Sequence, residues 1–76
     1  MQTGLVLYGT EFCHLCDEAA AILRRVRIEA DHIDIAADDE LLEKYGIRIP
    51  VLKRLDTGAE LGWPFDVEAV SRFLEL

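Results

Sequence analysis

The spacing of hydrophobic residues changes along this 76-residue chain, and each spacing predicts a different element. Residues 5–8 form an unbroken apolar run that ends at Gly9, which is typical of a strand buried on both faces of a sheet. Apolar residues then recur with the period of a helix, at Leu15, Ala19, Ile22, Leu23 and Val26. Acidic residues in the first turns of this segment and arginines in its last turns complement a helix dipole, so the pattern predicts a helix here.

The segment after this helix predicts a strand and then a short helix. In residues 28–35, Ile33 and Ile35 alternate with polar residues, which indicates a strand with one buried face. Asp38 is placed to cap a helix over residues 39–45, because aspartate is a favoured residue at that position. The residues of this helix that we expect to face inward are Leu41, Leu42 and Tyr45.

The remainder of the chain predicts a hairpin and a final helix. Gly46 lies where a left-handed residue is expected to end the preceding helix. Residues 51–55 and 59–61 flank the turn-forming residues 56–58, which predicts an antiparallel hairpin. Asp66 is placed to cap the final helix. The buried face of that helix is expected to consist of Val67, Val70, Phe73 and Leu74.

These elements predict a single α/β domain over residues 1–76, with the order β-α-β-α-β-β-α. The first helix joins two strands that are too far apart in sequence for a hairpin, so we expect those strands to pair in parallel. Together with the antiparallel hairpin this makes a four-stranded mixed sheet with three helices. Such sheets carry their sites at the carboxyl ends of parallel strands, beside helix N-termini, which is where residues 10–17 lie.

The charge balance narrows the choice of partners. Eight basic and fifteen acidic residues give a net charge of −7, which repels the phosphates of nucleic acids. No apolar run approaches the ~20 residues that a bilayer needs, and the amino-terminal residues lack the pattern of a secretory signal. We therefore expect a cytoplasmic monomer without a nucleic-acid or membrane partner.

Both cysteines of the chain, Cys13 and Cys16, lie at the start of the first predicted helix. In the cytosol a Cys-x-x-Cys pair is more often chemical than structural. A helix N-terminus stabilises a thiolate, and in such motifs the thiol pKa falls from 8.5 into the range ~3.5–7.5. Cys13 is therefore the expected attacking thiol and Cys16 the resolving thiol. Phe12 and His14, on either side of Cys13, are candidates to modulate its reactivity, and a protonated His14 would stabilise the thiolate.

Other effects and other roles for the two cysteines have to be weighed against the redox role. Carboxylates at Glu11, Asp17 and Glu18 oppose a further negative charge near the first cysteine, so the net effect on its thiol stays open. The cysteines and histidines available to a structural zinc ion are Cys13, Cys16, His14 and His32. A structural zinc site takes four ligands in a tetrahedron, which neighbouring residues of one turn hardly supply, so we expect no metal site. A purely structural disulfide over so short a loop would restrain little of the unfolded chain.

Four segments, LVLYGTEFCHLC, HIDI, GIRIPVL and GWPFD, together resemble a minimal glutaredoxin-like protein of the thioredoxin-fold superfamily. The resemblance covers nearly the whole chain and implies a thioredoxin-like fold. It also implies a cis peptide bond between Ile49 and Pro50, since X-Pro is the one common peptide bond that adopts cis cheaply. In the family the residue before this proline, here Ile49, pairs through its backbone with an extended substrate. A trans proline at the start of an edge strand is the alternative.

Glutathione as a co-substrate is a further implication of the resemblance, whereas no bound cofactor is expected. The family's glutathione site resembles Gly-Gly-x-x-Asp before the last helix. Here Gly62 and Asp66 match, and Trp63 replaces the second glycine, where an indole would crowd the ligand. The resemblance assigns the ligand's amino group to Asp66 and a ligand carboxylate to Arg48. A helix cap alone is the alternative role for Asp66.

The resemblance implies a thiol-disulfide oxidoreductase that reduces protein or glutathione mixed disulfides and serves electron transport and cell redox homeostasis. Three alternatives stay open. One is a redoxin that thioredoxin reductase reduces and that donates electrons to a specific enzyme. Another is an iron–sulfur or metal carrier that uses Cys13 as a ligand. The third is an interaction module that retains the fold without turnover.

Overall fold

The chain folds into one mixed sheet and three α-helices, seen in a computed structural model that describes residues 4–75. In chain order the elements are β1 (Leu5–Gly9), α1 (His14–Arg25), β2 (Asp31–Asp34), a 3-10 turn (Ile35–Ala37), α2 (Asp39–Tyr45), β3 (Val51–Arg54), β4 (Glu60–Gly62) and α3 (Val67–Leu74). Within the described residues, no helix has the length and apolar character needed to cross a membrane.

Strand β1 lies inside the sheet, whose order is β2-β1-β3-β4. It pairs in parallel with β2, as the helical connection predicts, and antiparallel with β3. β3 and β4 form the predicted hairpin, and in its turn the Gly58 N–H donates to the Arg54 carbonyl oxygen at 2.8 Å. The predicted α/β class, the four-stranded mixed sheet and the thioredoxin-like fold are therefore confirmed.

Side chains of β1 alternate between two hydrophobic clusters on opposite faces of the sheet. The buried members of the cluster against α1 and α3 are Leu7, Ala19, Leu23, Leu52, Phe65 and Val70. The buried members of the second cluster, which includes the end of α2, are Val6, Tyr8, Ile35, Tyr45 and Val51. Because β1 is covered on both faces, Val6, Leu7 and Tyr8 each pack among apolar neighbours.

Two predicted helix caps are confirmed. The Asp38 carboxylate accepts the Glu40 N–H at 2.8 Å and so begins α2. The Asp66 carboxylate accepts the Ala69 N–H at 2.8 Å and so begins α3. Each aspartate satisfies an N–H group that has no partner within its own helix.

The second predicted strand is shorter and more exposed than its alternating pattern indicates. β2 ends at Asp34, so Ile35 is buried in the 3-10 turn and not in the strand. Ile33, predicted to be buried, is 36% exposed on this edge strand. The chain turns at Asp34 because the Asp34 carboxylate accepts the Ala36 N–H at 2.9 Å, which is a local alternative to the sheet ladder.

The structure also contradicts two predictions of inward-facing leucines. Leu42 is 47% exposed, because α2 packs through Leu41 and Tyr45, which lie four residues apart on one side of the helix. Leu15 is 42% exposed and lies in the first turn of α1, ahead of Ala19, the first buried residue of that helix. The helical period shows which face of a helix is apolar. How much of that face is buried depends on the elements that pack against it.

Gly46 ends α2 for a different reason from the predicted one. Its backbone is right-handed, with φ −49° and ψ −36°, so the left-handed cap is wrong. A Cβ atom at this position would lie 2.5 Å from the Leu42 carbonyl oxygen. Space, and not backbone conformation, therefore favours glycine at this position.

Tyr45 connects the second cluster to the loop that follows α2. Its buried ring stacks on Tyr8 with the centroids 4.5 Å apart, and its hydroxyl donates a hydrogen bond to Glu60 on β4. Burial, reinforced by this hydrogen bond and by the charge of Glu60, raises the pKa of Tyr45 far above its usual value. The Tyr45 carbonyl oxygen accepts the N–H groups of Arg48 and Ile49 at 2.8 and 3.2 Å. Tyr45 thereby holds the segment that leads into β3.

The raised pKa of Tyr45 predicts a loss of stability at alkaline pH. Above about pH 10 the unfolded chain releases the tyrosine proton while the folded protein retains it. The free energy of unfolding should therefore fall as pH rises, by up to about 1.4 kcal/mol per pH unit. The Tyr45→Phe variant has no such proton, so its free energy of unfolding should decline less, measured by urea unfolding of the oxidised protein. At neutral pH it should be less stable by about 1 kcal/mol, since one hydrogen bond is lost.

Tyr8→Phe is the matched control for this experiment, because it changes the other ring of the stack and keeps the bond between Tyr45 and Glu60. It should show the alkaline decline of the wild type. Equal alkaline decline in the wild type and in Tyr45→Phe would contradict the assignment to Tyr45.

Candidate redox site

The two cysteines lie at the carboxyl end of β1, where a short loop leads from Gly9 into α1. Cys13 and Cys16 are joined by a disulfide bond, and their Cα atoms are 5.2 Å apart. Both residues are half-buried. The pair therefore occupies the sheet edge at which parallel α/β folds hold their sites.

Cys13 is itself the N-cap of α1. Its backbone is extended, with φ −99° and ψ 103°, and its Sγ accepts the Cys16 N–H at 3.1 Å. The Cys13 carbonyl oxygen accepts the Asp17 N–H at 3.1 Å. A sulfur in the position of a capping oxygen lies at the positive end of the helix dipole and accepts a hydrogen bond from a backbone N–H group. Both interactions stabilise negative charge on this sulfur once the disulfide is reduced.

The residues on either side of Cys13 are exposed to solvent. Phe12 is fully exposed and has a left-handed backbone with φ 58°, which is unusual for a bulky residue. His14 is also exposed, and its Nε2 lies 3.8 Å from the Glu18 carboxylate, one helical turn further on. The ionic neighbour of the His14 imidazole is therefore Glu18, on the same helix.

Pro50 comes next to this site through the pairing of β1 with β3. Tyr8 pairs with Val51, and continuing this antiparallel register by one residue sets Pro50 across from Gly9. The peptide bond between Ile49 and Pro50 is cis, as the resemblance implies, and the Pro50 side chain is fully buried. The Ile49 N–H donates to the Tyr45 carbonyl oxygen at 3.2 Å, so this backbone donor is already used within the chain.

The three residues associated with glutathione by resemblance each have a partner inside the protein. The Arg48 guanidinium lies 3.7 Å from the Glu60 carboxylate. Trp63 is half-buried against the first cluster and packs edge-on against Phe65, with ring centroids 5.0 Å apart. Asp66 is the cap of α3. The bond between Trp63 and Pro64 is a second cis peptide bond, for which the sequence carries no signal.

A cleft of about 430 Å³ lies beside Cys16, between the loop after β1, helix α1 and strand β2. Its lining residues are Leu7, Gly9, Thr10, Glu11, Cys16, Asp17, Ala20, Arg24, His32 and Asp34. Of the predicted site residues, Cys16 alone is among them. Within residues 4–75, no three histidine, cysteine or acidic side chains come together as a group that could hold a metal ion.

Two features of the structure have no signal in the sequence. Gly9 reads as the end of a strand, although its missing side chain leaves room for the Cys16 sulfur. Ile47 is fully exposed, as Phe12 is, and no pattern in the sequence predicts this exposure. In a single sequence no signal separates an exposed isoleucine in a loop from a buried one.

Comparison with known proteins places this geometry in a family. Residues 4–75 match the family described as Glutaredoxin-like domain (DUF836). The chain is 40% identical to the protein XcR50 from X. campestris, with a TM-score of 0.87 and coverage of 93% of this chain and 95% of that one. It is 32% identical to Ne2328 from Nitrosomonas europaea, with a TM-score of 0.79 and coverage of 96% and 92%.

A more distant likeness shows the fold alone. A glutaredoxin (grx-1) from Archaeoglobus fulgidus is 19% identical, with a TM-score of 0.70 and coverage of 97% of this chain and 88% of that one. No curated protein matches the chain. The matching family and the Cys-x-x-Cys pair at the N-terminus of α1 support a thiol redox function in general terms. By a match that spans nearly its whole length, the chain belongs to the glutaredoxin-like (DUF836) family.

Proposed function

We propose that this chain is a thiol-disulfide oxidoreductase that reduces protein or glutathione mixed disulfides, working as a cytoplasmic monomer with no bound cofactor. The observation that carries the proposal is the Cys13 sulfur at the cap of α1, where it accepts the Cys16 N–H and is bonded to Cys16. That position favours the thiolate, which is the nucleophilic form of cysteine. The bonded partner supplies the second thiol that a dithiol mechanism needs.

The proposed reaction transfers two electrons from the dithiol to the substrate. The Cys13 thiolate attacks one sulfur of the substrate disulfide, forms a mixed disulfide and releases the other substrate sulfur as a thiolate, which takes a proton from solvent. The Cys16 thiol loses its proton, and its thiolate attacks the Cys13 sulfur. The mixed disulfide breaks, the Cys13–Cys16 disulfide forms, and the second substrate thiol leaves. Ile49 contributes to the surface on which an extended substrate docks, and the buried Pro50 beside it shapes that surface.

A second candidate is a redoxin that receives its electrons from thioredoxin reductase and not from glutathione. Three contacts support it: Glu60 lies beside Arg48, the Tyr45 carbonyl oxygen uses the Ile49 N–H, and Asp66 caps α3. Glutathione would have to compete with these partners for the same groups. A protein reductase could instead dock on exposed side chains such as Phe12, which leaves these internal contacts in place.

Substitution of each cysteine tests the proposed mechanism. Cys13→Ser should lose reduction of a disulfide-bonded peptide down to the uncatalysed rate, because the attacking thiolate is missing. Cys16→Ser should still attack and should accumulate a mixed disulfide through Cys13, since no second thiol resolves it. Stopped reactions quenched by alkylation and analysed by intact mass measure both outcomes. Wild-type activity in Cys13→Ser would sink the proposal.

Two substitutions of Asp66 separate its cap role from a ligand role. Asp66→Ala should lower the free energy of unfolding by about 1 kcal/mol, because the Ala69 N–H loses its acceptor. Asp66→Asn keeps an acceptor and should retain stability, since the two residues cap about equally well. If capping is the whole role, the Asn variant also keeps the wild-type rate of reduction by glutathione, measured as free thiols over time. A stable Asn variant with a selectively slowed glutathione reaction would assign the Asp66 charge to ligand binding.

A further inference from the structure

The last residue of β1 approaches the Cys16 sulfur too closely to carry a side chain. A Cβ atom placed on Gly9 would lie 2.9 Å from the Cys16 Sγ and 3.3 Å from its Cβ, and real Cβ atoms essentially never come within 3.0 Å of a heavy atom outside their own and the adjoining residues. At Gly62, by contrast, an added Cβ meets nothing within 4 Å. Gly9 is not left-handed, so its backbone conformation alone does not demand a glycine. We infer that Gly9 is a positioning residue for Cys16, an inference that rests on the proposed dithiol function.

The backbone at Gly9 cannot move aside to make room. β1 is held on both edges, by the pairing of Gly9 with Asp34 on β2 and of Tyr8 with Val51 on β3. Leu7 anchors the same strand in the first cluster. The close packing of a protein interior resists local displacement of the backbone. A side chain at position 9 must therefore displace the Cys16 sulfur and not the strand.

Displacement of the Cys16 sulfur is less favourable in the disulfide form than in the dithiol form. In the disulfide form the Cys16 sulfur is bonded to Cys13 and cannot leave its place beside Gly9. In the dithiol form no such bond exists, and the Cys16 side chain can rotate into another staggered rotamer. A side chain at position 9 therefore destabilises the disulfide relative to the dithiol. It also disfavours the resolving step, in which the Cys16 thiolate must reach the Cys13 sulfur while the substrate thiolate leaves.

Gly9→Ala tests the inference through the reduction potential of the cysteine pair. The oxidised and reduced fractions are measured by alkylation and intact mass at a series of dithiothreitol redox ratios. We expect the equilibrium constant for disulfide formation to fall at least tenfold, which corresponds to a potential ~30 mV more positive for a two-electron couple. Val70→Ala is the control, because it removes buried methyl groups from the cluster that contains Leu7 and lowers stability without adding an atom beside the Cys16 sulfur. An unshifted potential in Gly9→Ala, or an equal shift in Val70→Ala, would overturn the inference.

A second measurement keeps the inference testable if Gly9→Ala folds poorly. Gly9→Ala is introduced into the Cys16→Ala protein, which lacks the sulfur that the new Cβ would meet. In the Cys16→Ala background, Gly9→Ala should lower the urea midpoint clearly less than it does in the disulfide-bonded protein. The effects of substitutions at two residues in contact are not additive. Equal losses in both backgrounds would show that position 9 matters for the strand alone, and would also overturn the inference.

The two proposals fail in different ways. The potential and the stability comparison need no substrate, so they test Gly9 even in a protein that reduces nothing. If the wild type has no disulfide reductase activity but Gly9→Ala shifts the potential, the proposed function is rejected and the role of Gly9 is kept. If the wild type is active but Gly9→Ala leaves the potential unshifted, the proposed function is kept and the role of Gly9 is rejected.

Discussion

The structure depends on the burial of strand β1 on both faces. Leu7 enters the cluster against α1 and α3, while Val6 and Tyr8 enter the cluster on the other face of the sheet. A strand in this position must pair on both edges, since unpaired backbone groups in a core are costly. Its carboxyl end is consequently rigid, and the chain leaves it directly into the loop that carries Cys13. The precision of the redox site follows from this rigidity.

Electrostatics at the site divide into two kinds of interaction. The Cys13 sulfur receives the Cys16 N–H and the field of α1, which favour negative charge on it. Two of the predicted site residues lie beside a carboxylate, His14 beside Glu18 and Arg48 beside Glu60. Exposed pairs of this kind contribute little to stability. A glutathione carboxylate that approached Arg48 would have to displace Glu60 as its partner.

The sequence by itself determined the elements and the chemistry that depends on local spacing. Hydrophobic periodicity located the strands and the helices, because the residues on one buried face recur along the chain with the period of that element. Asp38 and Asp66 were recognisable as caps, since capping is a contact between residues two or three apart. Cys13 and Cys16 were recognisable as a pair for the same reason, and Ile49-Pro50 as a cis bond by family resemblance.

Only the tertiary structure decided what depends on residues far apart in the chain. Ile33 is exposed because β2 is an edge strand, which no local pattern reveals. Arg48 is engaged because β4 brings Glu60 beside it. Gly9 owes its role to the Cys16 sulfur on α1, while Gly46 owes its place to a nearby carbonyl oxygen. The physical reason is common to all four: a sequence records which side chains exist, whereas close packing decides which of them have room and which have partners.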